Sequence, residues 1–164
     1  MDLVCARKAI ADLYSQLGES DKALEYYLKT LKGSRKIYGP IHLENSSILN
    51  RLGNLFYEHG DQKNALKMYE EGLKIGRQLH STSDRNTLIT ILNIARIYHH
   101  QQNWTKALLM FEEGLQIQRN LGDDEALSLA STLNSVGLVY DQLGRFTPAL
   151  KAVWKKHTPS GSSF

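Results

Sequence analysis

Cysteine occurs once, at Cys5, so no disulfide can close within the chain. That fits a reducing compartment, and the expected location is cytoplasmic. Proline occurs three times, at Pro40, Pro148 and Pro159, which leaves long stretches free to run as helix. Long apolar runs are missing. The most apolar stretch, Leu88 to Tyr98, is interrupted by Thr90, Asn93 and Arg96, so nothing is expected to span a membrane. The first eight residues, Met1 to Lys8, hold no apolar core ahead of a small-residue cleavage site, and no signal peptide is expected. Without secretion, the sequons Asn45-Ser46-Ser47 and Asn103-Trp104-Thr105 read as chance matches.

Charge of one sign is scarce as well. Twenty Lys and Arg face seventeen Asp and Glu, for a net charge of +3. No block of five or six like charges occurs. This balance argues against a nucleic-acid protein. Glycine-rich phosphate loops, HExxH and CxxC patterns are absent, so neither a cofactor nor a metal is expected. His99-His100 does not change that, because adjacent helical residues point about 100° apart. The pairs Glu70-Glu71, Glu112-Glu113 and Asp123-Asp124 recur at equivalent or loop positions and read as solvated surface rather than an acid–base pair. Cys5 has no His partner placed in sequence and reads as a small helix filler. No catalytic residue is assigned.

What the chain has is a repeat. Ile10-Ala11-Asp12-Leu13-Tyr14 is echoed by Leu52-Gly53-Asn54-Leu55-Phe56, by Ile94-Ala95-Arg96-Ile97-Tyr98 and by Val136-Gly137-Leu138-Val139-Tyr140. The small residues stand at 11, 53, 95 and 137, a constant step of 42. A second small residue follows each after twelve positions: Ala23, Ala65, Ala107 and Ala149. A fixed period of this size means stacked supersecondary units. Apolar residues recur at steps of three and four, as in Ile48, Leu52, Leu55 and in Ile91, Ile94, Ile97. Each unit therefore reads as two antiparallel helices, A and B.

Helix A is expected to end near Leu17-Gly18, His59-Gly60, Gln101-Gln102 and Leu143-Gly144. Glycine suits a left-handed stop, and Gln101-Gln102 departs from the pattern. Helix B is expected to begin at Ser20-Asp21, Asp61-Gln62, Asn103-Trp104 and Arg145-Phe146, with Asp61 and Asn103 as N-caps. Pro148 falls in the first turn of the last helix. The joints Tyr38 to Leu43, Leu79 to Asp84 and Leu121 to Asp124 read as inter-repeat loops, with no internal domain boundary.

The packing set follows from the alignment. Ala11, Ala23, Gly53, Ala65, Ala95, Ala107, Gly137 and Ala149 let helices A and B approach. Tyr14, Phe56, Tyr98 and Tyr140 fill the space between them. Tyr27, Tyr69, Phe111 and Val153 are expected to close the contact with the next unit, and Trp104 to pack.

This pattern resembles the tetratricopeptide repeat in all four units, over about residues 4 to 154. The 42-residue period is similar to the kinesin light chain variety, in which the joint reads Leu-Gly-x-x-His-Pro. Here the joint is Tyr38-Gly39-Pro40-Ile41-His42-Leu43, so glycine and histidine match and the following proline does not. Helix A carries Leu49-Asn50-Arg51-Leu52-Gly53 and Leu133-Asn134-Ser135-Val136-Gly137 where that variety carries Leu-Asn-Asn-Leu-Ala. The resemblance implies an all-α, right-handed superhelical solenoid of about four helix pairs. The array is expected over 1–157, with repeats at about 3–38, 45–80, 87–122 and 129–157. Residues 158–164 are small and polar and are expected to be a disordered tail. No polar cap is visible at either end, so the chain reads as a segment of a longer array or a truncated product.

The resemblance also implies a concave groove, lined by the A helices, that takes a short peptide or a helix of a partner protein. Its candidate residues are Lys8, Asp12, Asn50, Asn54, Tyr57, Arg96, His99, Asn134 and Asp141, with Ser15, Leu92 and Leu138 at the same register. Asn50 and Asn134 can each donate and accept, which suits a peptide backbone of any sequence. Lys8 and Arg96 suit a carboxylate, while Asp12 and Asp141 dilute the positive field. Two rival roles come from other classes. One is self-association through uncapped end repeats. The other is a regulatory segment of a larger motor, signalling or enzyme protein.

Overall fold

The computed structural model describes residues 3–79, 85–121 and 126–144, and these are helical apart from short turns. The helices are α1 (Leu3–Gln16), α2 (Ser20–Tyr38), α3 (Leu43–Glu58), α4 (Gln62–Gln78), α5 (Arg85–His100), α6 (Trp104–Leu121) and α7 (Ala126–Gln142). They pair as α1/α2, α3/α4 and α5/α6, with α7 as the first helix of the fourth repeat. The expected partner of α7, with Pro148, Ala149 and Val153, lies outside the described residues, as does the 158–164 tail.

The chain divides into two compact units, 1–82 and 83–164. The division falls inside the joint that the sequence reads as a loop between the second and third repeats. Each unit has its own core.

Small residues decide the packing inside each unit. Ala11, Ala23, Ala65, Ala95 and Ala107 are all fully buried. A methyl group or less at these positions lets paired helices approach closely, and larger residues close the rest. In the first unit Ala11, Ala23, Tyr27 and Leu31 join Ile48, Leu49, Leu52, Leu55 and Ile75 in one cluster. In the second, Ala95, Ala107, Phe111 and Leu115 join Val136 and Val139. Gly53 is buried and closely approached. A Cβ built there would stand 2.5 Å from the Tyr69 ring. Tyr14, Phe56, Tyr98 and Tyr140 are half-buried, and Tyr14, Tyr98 and Tyr140 pack against these clusters. Tyr14, for example, packs against Tyr26 with ring centroids 5.3 Å apart.

The A-to-B turns keep the period in backbone geometry. Positive φ recurs at Gly18 (74°), Gly60 (77°), Gln102 (56°) and Gly144 (61°). The third turn thus follows the others although it carries glutamine. Its Asn103 N–H donates to the Tyr98 carbonyl at 2.9 Å, as Glu19 does to Tyr14 and Asp61 to Phe56. Leu, Val or Ile at 102 would be costlier still; glutamine bears a left-handed penalty of about 1 kcal/mol because the turn bonds hold it there.

Helix starts differ in detail. Asp61 caps α4 by accepting from the Asn64 N–H at 3.0 Å. The bond holds the Asp61 carboxyl below its ordinary value. Asn103 accepts from the Lys106 N–H at 3.4 Å. The equivalent Glu19 makes no capping bond to the backbone of α2. It pairs instead with Lys22. At the joint between the first two repeats, Gly39 takes φ 82° and His42 caps α3, its Nδ1 accepting from the Glu44 N–H at 3.2 Å. Asn45 is fully buried and donates to the Gly39 and Pro40 carbonyls at 2.7 and 3.1 Å. The joint is therefore held from inside, and α3 leaves it in a fixed direction.

Candidate functional site

Two ion pairs join the A helices α1 and α3 in the first unit. Lys8 Nζ stands 2.7 Å from Glu44 Oε1. Arg51 Nε stands 3.6 Å from Asp12 Oδ1. Lys8, Asp12 and Arg51 thus share one face. Both pairs are partly exposed, so they organise the face more than they stabilise it.

Asp12 is further held from beneath. The hydroxyl of Tyr27, on α2 and almost fully buried, donates to Asp12 Oδ1. One repeat on, the hydroxyl of buried Tyr69 donates to Asn54 Oδ1 at 2.5 Å. Tyr27 and Tyr69 were expected to close the contact with the following repeat. Tyr27 does sit in the cluster that joins repeats one and two. Its hydroxyl, however, turns to the A helix of its own repeat. Burial, and then the Asp12 bond, push the Tyr27 phenol well above its ordinary value, so it stays a donor. In the third repeat the pair becomes Phe111 and Arg96, and this hydroxyl is gone.

The remaining candidates spread along the A helices. Asn50 is half-buried on α3, and its Oδ1 is buried without a donor, facing Gly72 of α4. Tyr57 is half-buried near the end of α3. In the second unit Arg96 is exposed on α5, and His99 is half-buried with its ring edge-on to Trp104 at 5.2 Å. Trp104 packs against the core of that unit, as expected. Desolvation, and then His100, lower the His99 imidazole. The His99 and His100 rings are 6.0 Å apart and nearly perpendicular. Asn134 and Asp141 are exposed on α7. At the same register Leu92 packs into the core of the second unit and Leu138 is 46% exposed.

The structure therefore brings Lys8, Asp12 and Asn54 into bonded positions within the first unit. Sequence reasoning missed their partners Glu44, Arg51 and Tyr69 as members of this face. The paired carboxylates are also less idle than the repeat suggested: Glu71 binds Arg35 at 2.5 Å, and Glu112 accepts from the Tyr140 hydroxyl at 2.7 Å. Among the described residues no group of three His, Cys, Asp or Glu is placed to hold a metal ion, and no helix is long and apolar enough to cross a membrane.

The profile of the tetratricopeptide repeat matches residues 2–78 and 86–153. The chain belongs to the tetratricopeptide repeat family. Proteins of this repeat family generally serve as non-catalytic protein-interaction scaffolds.

Solved structures agree on the fold. BtubC (BKLC) from P. vanneervenii matches with a TM-score of 0.80 and 23% identity, over 99% of this chain and 68% of that one. A kinesin light chain-like protein of Podosopora anserina with nearly identical TPR-like repeats matches with a TM-score of 0.74 and 18% identity, over 96% of this chain and 77% of that one. The apo form of RapI matches with a TM-score of 0.79 and 13% identity, over 94% of this chain and 41% of that one. These likenesses show the same helical-repeat fold. No curated protein sequence matches it significantly.

Proposed function

We propose that the chain is a cytoplasmic adaptor that holds a short peptide, or one helix of a partner protein, on the face of its A helices, without chemistry of its own. One observation carries this reading. Asp12 and Asn54 are half-exposed, and each is fixed from below by the hydroxyl of a buried tyrosine. A polar side chain already held in one orientation loses little entropy when it meets a ligand. On Asp12 the bonds fall on Oδ1, and Oδ2 can accept from a peptide N–H. Lys8, Asn50 and Tyr57 extend the row in the first unit. Arg96, His99, Asn134 and Asp141 supply the equivalent positions in the second.

The row mixes amides with charges of both signs. It therefore suits a peptide recognised through its backbone, with a few polar side chains, rather than a strongly acidic one. The test is peptide-display selection against the purified chain, repeated with Asn54 and Arg96 both replaced by Ala. The reading expects a shared motif that the double variant loses while its helicity is unchanged. Selection of the same motif by both proteins would place the site elsewhere.

A further inference from the structure

The first repeat departs from the others along one face, and the departures coincide in space. In the second repeat Leu49 of α3 and Ile75 of α4 are buried in the shared core, at 0% and 4% exposure. The equivalent residues of the first repeat are Arg7 and Gly33. A Cβ on Gly33 would meet only the Arg7 guanidinium, at 3.8 Å. Gly33 is thus a mid-helix glycine that no close approach requires, and its missing side chain leaves a hollow. Two adjoining hollows open here, of about 470 and 390 Å³. The first is walled by Arg7, Tyr26, Lys29, Lys32 and Lys36. The second adds Leu3, Val4 and Ile37. The stripe continues along α1 through Ile10 and Leu13, which are 39% and 58% exposed, whereas their equivalents Leu52 and Leu55 are 0% and 2% exposed.

The second repeat shows what such a face receives. There it is covered by the preceding B helix, α2, which contributes Tyr27 and Leu31 to the core. At the edge of that contact Arg35 of α2 binds Glu71 of α4 at 2.5 Å. In the first repeat the position of Glu71 is held by Lys29. The sign of the receiving charge is reversed. Lys29 also meets the exposed Glu25 at 2.5 Å, a surface pair too weak to cancel the field of its neighbours. Arg7, Lys32 and Lys36 have no carboxylate partner among the described residues.

We propose that this face of α1 and α2 is a second docking surface, separate from the A-helix face, and that it takes an acidic amphipathic helix of a partner protein. The aliphatic stripe of that helix would lie where α2 lies on the second repeat. Its carboxylates would meet Lys29, Arg7 and Lys36. The charge reversal also selects against this chain's own B helices. They carry Arg35, Arg77 and Arg119 at the position that would face Lys29. Like charges set against each other in this way disfavour the wrong partner. The repulsion speaks against head-to-tail stacking of copies on this face.

The test uses two synthetic helical peptides with one aliphatic stripe, flanked by Glu in one and by Lys in the other. Binding to the full chain is read by fluorescence anisotropy. The acidic peptide should bind at least about tenfold tighter than the basic one, and more weakly as salt rises. The triple variant Arg7→Leu, Gly33→Ile, Lys29→Glu restores the pattern of the second repeat and should fold at least as stably. It should lose the acidic peptide and gain affinity for the basic one. Gly33→Ile alone keeps every charge and should still weaken the acidic peptide. Equal binding of the two peptides, or acidic binding untouched by these variants, overturns the proposal. So does a concentration-dependent dimer of the parent chain that the triple variant abolishes, which would make a second copy the occupant. Binding to anionic vesicles that the acidic peptide fails to displace would overturn it too. Loss of the A-helix motif in the Asn54/Arg96 variant has no bearing on this surface, so the two proposals fail separately.

Discussion

Tyr69 donates its hydroxyl proton to Asn54 Oδ1 at 2.5 Å, from helix B to helix A of the same repeat. Tyr27 does the same to Asp12 one repeat earlier, but there the acceptor is a carboxylate. Bonds to a charged acceptor are the stronger kind. Tyr69→Phe should cost about 0.5–1.5 kcal/mol, and Tyr27→Phe about 1.5–3 kcal/mol. Urea denaturation of both variants checks the order. A smaller loss for Tyr27→Phe would mean that its hydroxyl does not anchor Asp12.

Gln102 occupies the turn position that glycine holds in the other three repeats, with φ 56°. Glycine adopts this conformation without the Cβ clash. Gln102→Gly should therefore stabilise the second unit by about 1 kcal/mol. The reverse change, Gly60→Ala, should destabilise the first unit by a similar amount. No atom lies within 4 Å of the Cβ it would add, so backbone strain is the whole effect. Thermal melts of both variants measure it, and a Gln102→Gly protein that melts lower would contradict the assignment.

The surroundings of His99 favour its neutral ring. Burial, with His100 beside it, puts its folded value below the ordinary imidazole value of 6.5. In the unfolded chain the ring protonates first as pH falls. The unfolded state then binds more protons, so stability declines with acidification from about that value down through the lowered one. His99→Phe keeps an aromatic ring against Trp104 and removes the proton. Its stability should fall less than the parent's between neutral pH and the lower end of this window. Parallel denaturation curves at several pH values make the comparison, and identical slopes would show that His99 is not the group responsible.

Ala107 is fully buried between α5 and α6, in the cluster with Ala95 and Phe111. A lysine there would bring an unpaired ammonium into a space sized for a methyl group. Ala107→Lys should destabilise the second unit by several kcal/mol. Circular dichroism should show helix lost at ordinary temperature, and an unchanged melting temperature would remove the packing assignment.

Much of the fold was legible because small residues at a step of 42 have one physical reading, the close approach of paired helices. Ala11, Ala23, Ala65, Ala95 and Ala107 are all buried as that reading requires. The turn at Gln102 was harder, since the residue type does not announce a left-handed backbone, and only the turn bonds show it. Edges between helices were least legible. Lys8 meets Glu44 and Arg35 meets Glu71 across 36 residues, a spacing set by how successive helix pairs are rotated rather than by the period itself. The direction of a tyrosine hydroxyl is likewise invisible in spacing. Asp12 and Asn54 could be named as polar face residues, but not as residues already bonded. The unusual face of the first repeat was present in the alignment all along. Arg7 and Gly33 stand where Leu49 and Ile75 stand, yet the consequence needs both helices in place.

The most direct measurement of the central claim is backbone amide NMR of the chain titrated with a peptide from display selection. The account predicts that shifts concentrate on α1, α3, α5 and α7, around Asp12, Asn54, Arg96 and Asn134, while α4 and α6 stay still. Shifts confined to the B helices, or no shifts while the peptide binds by another readout, would contradict recognition on the A-helix face.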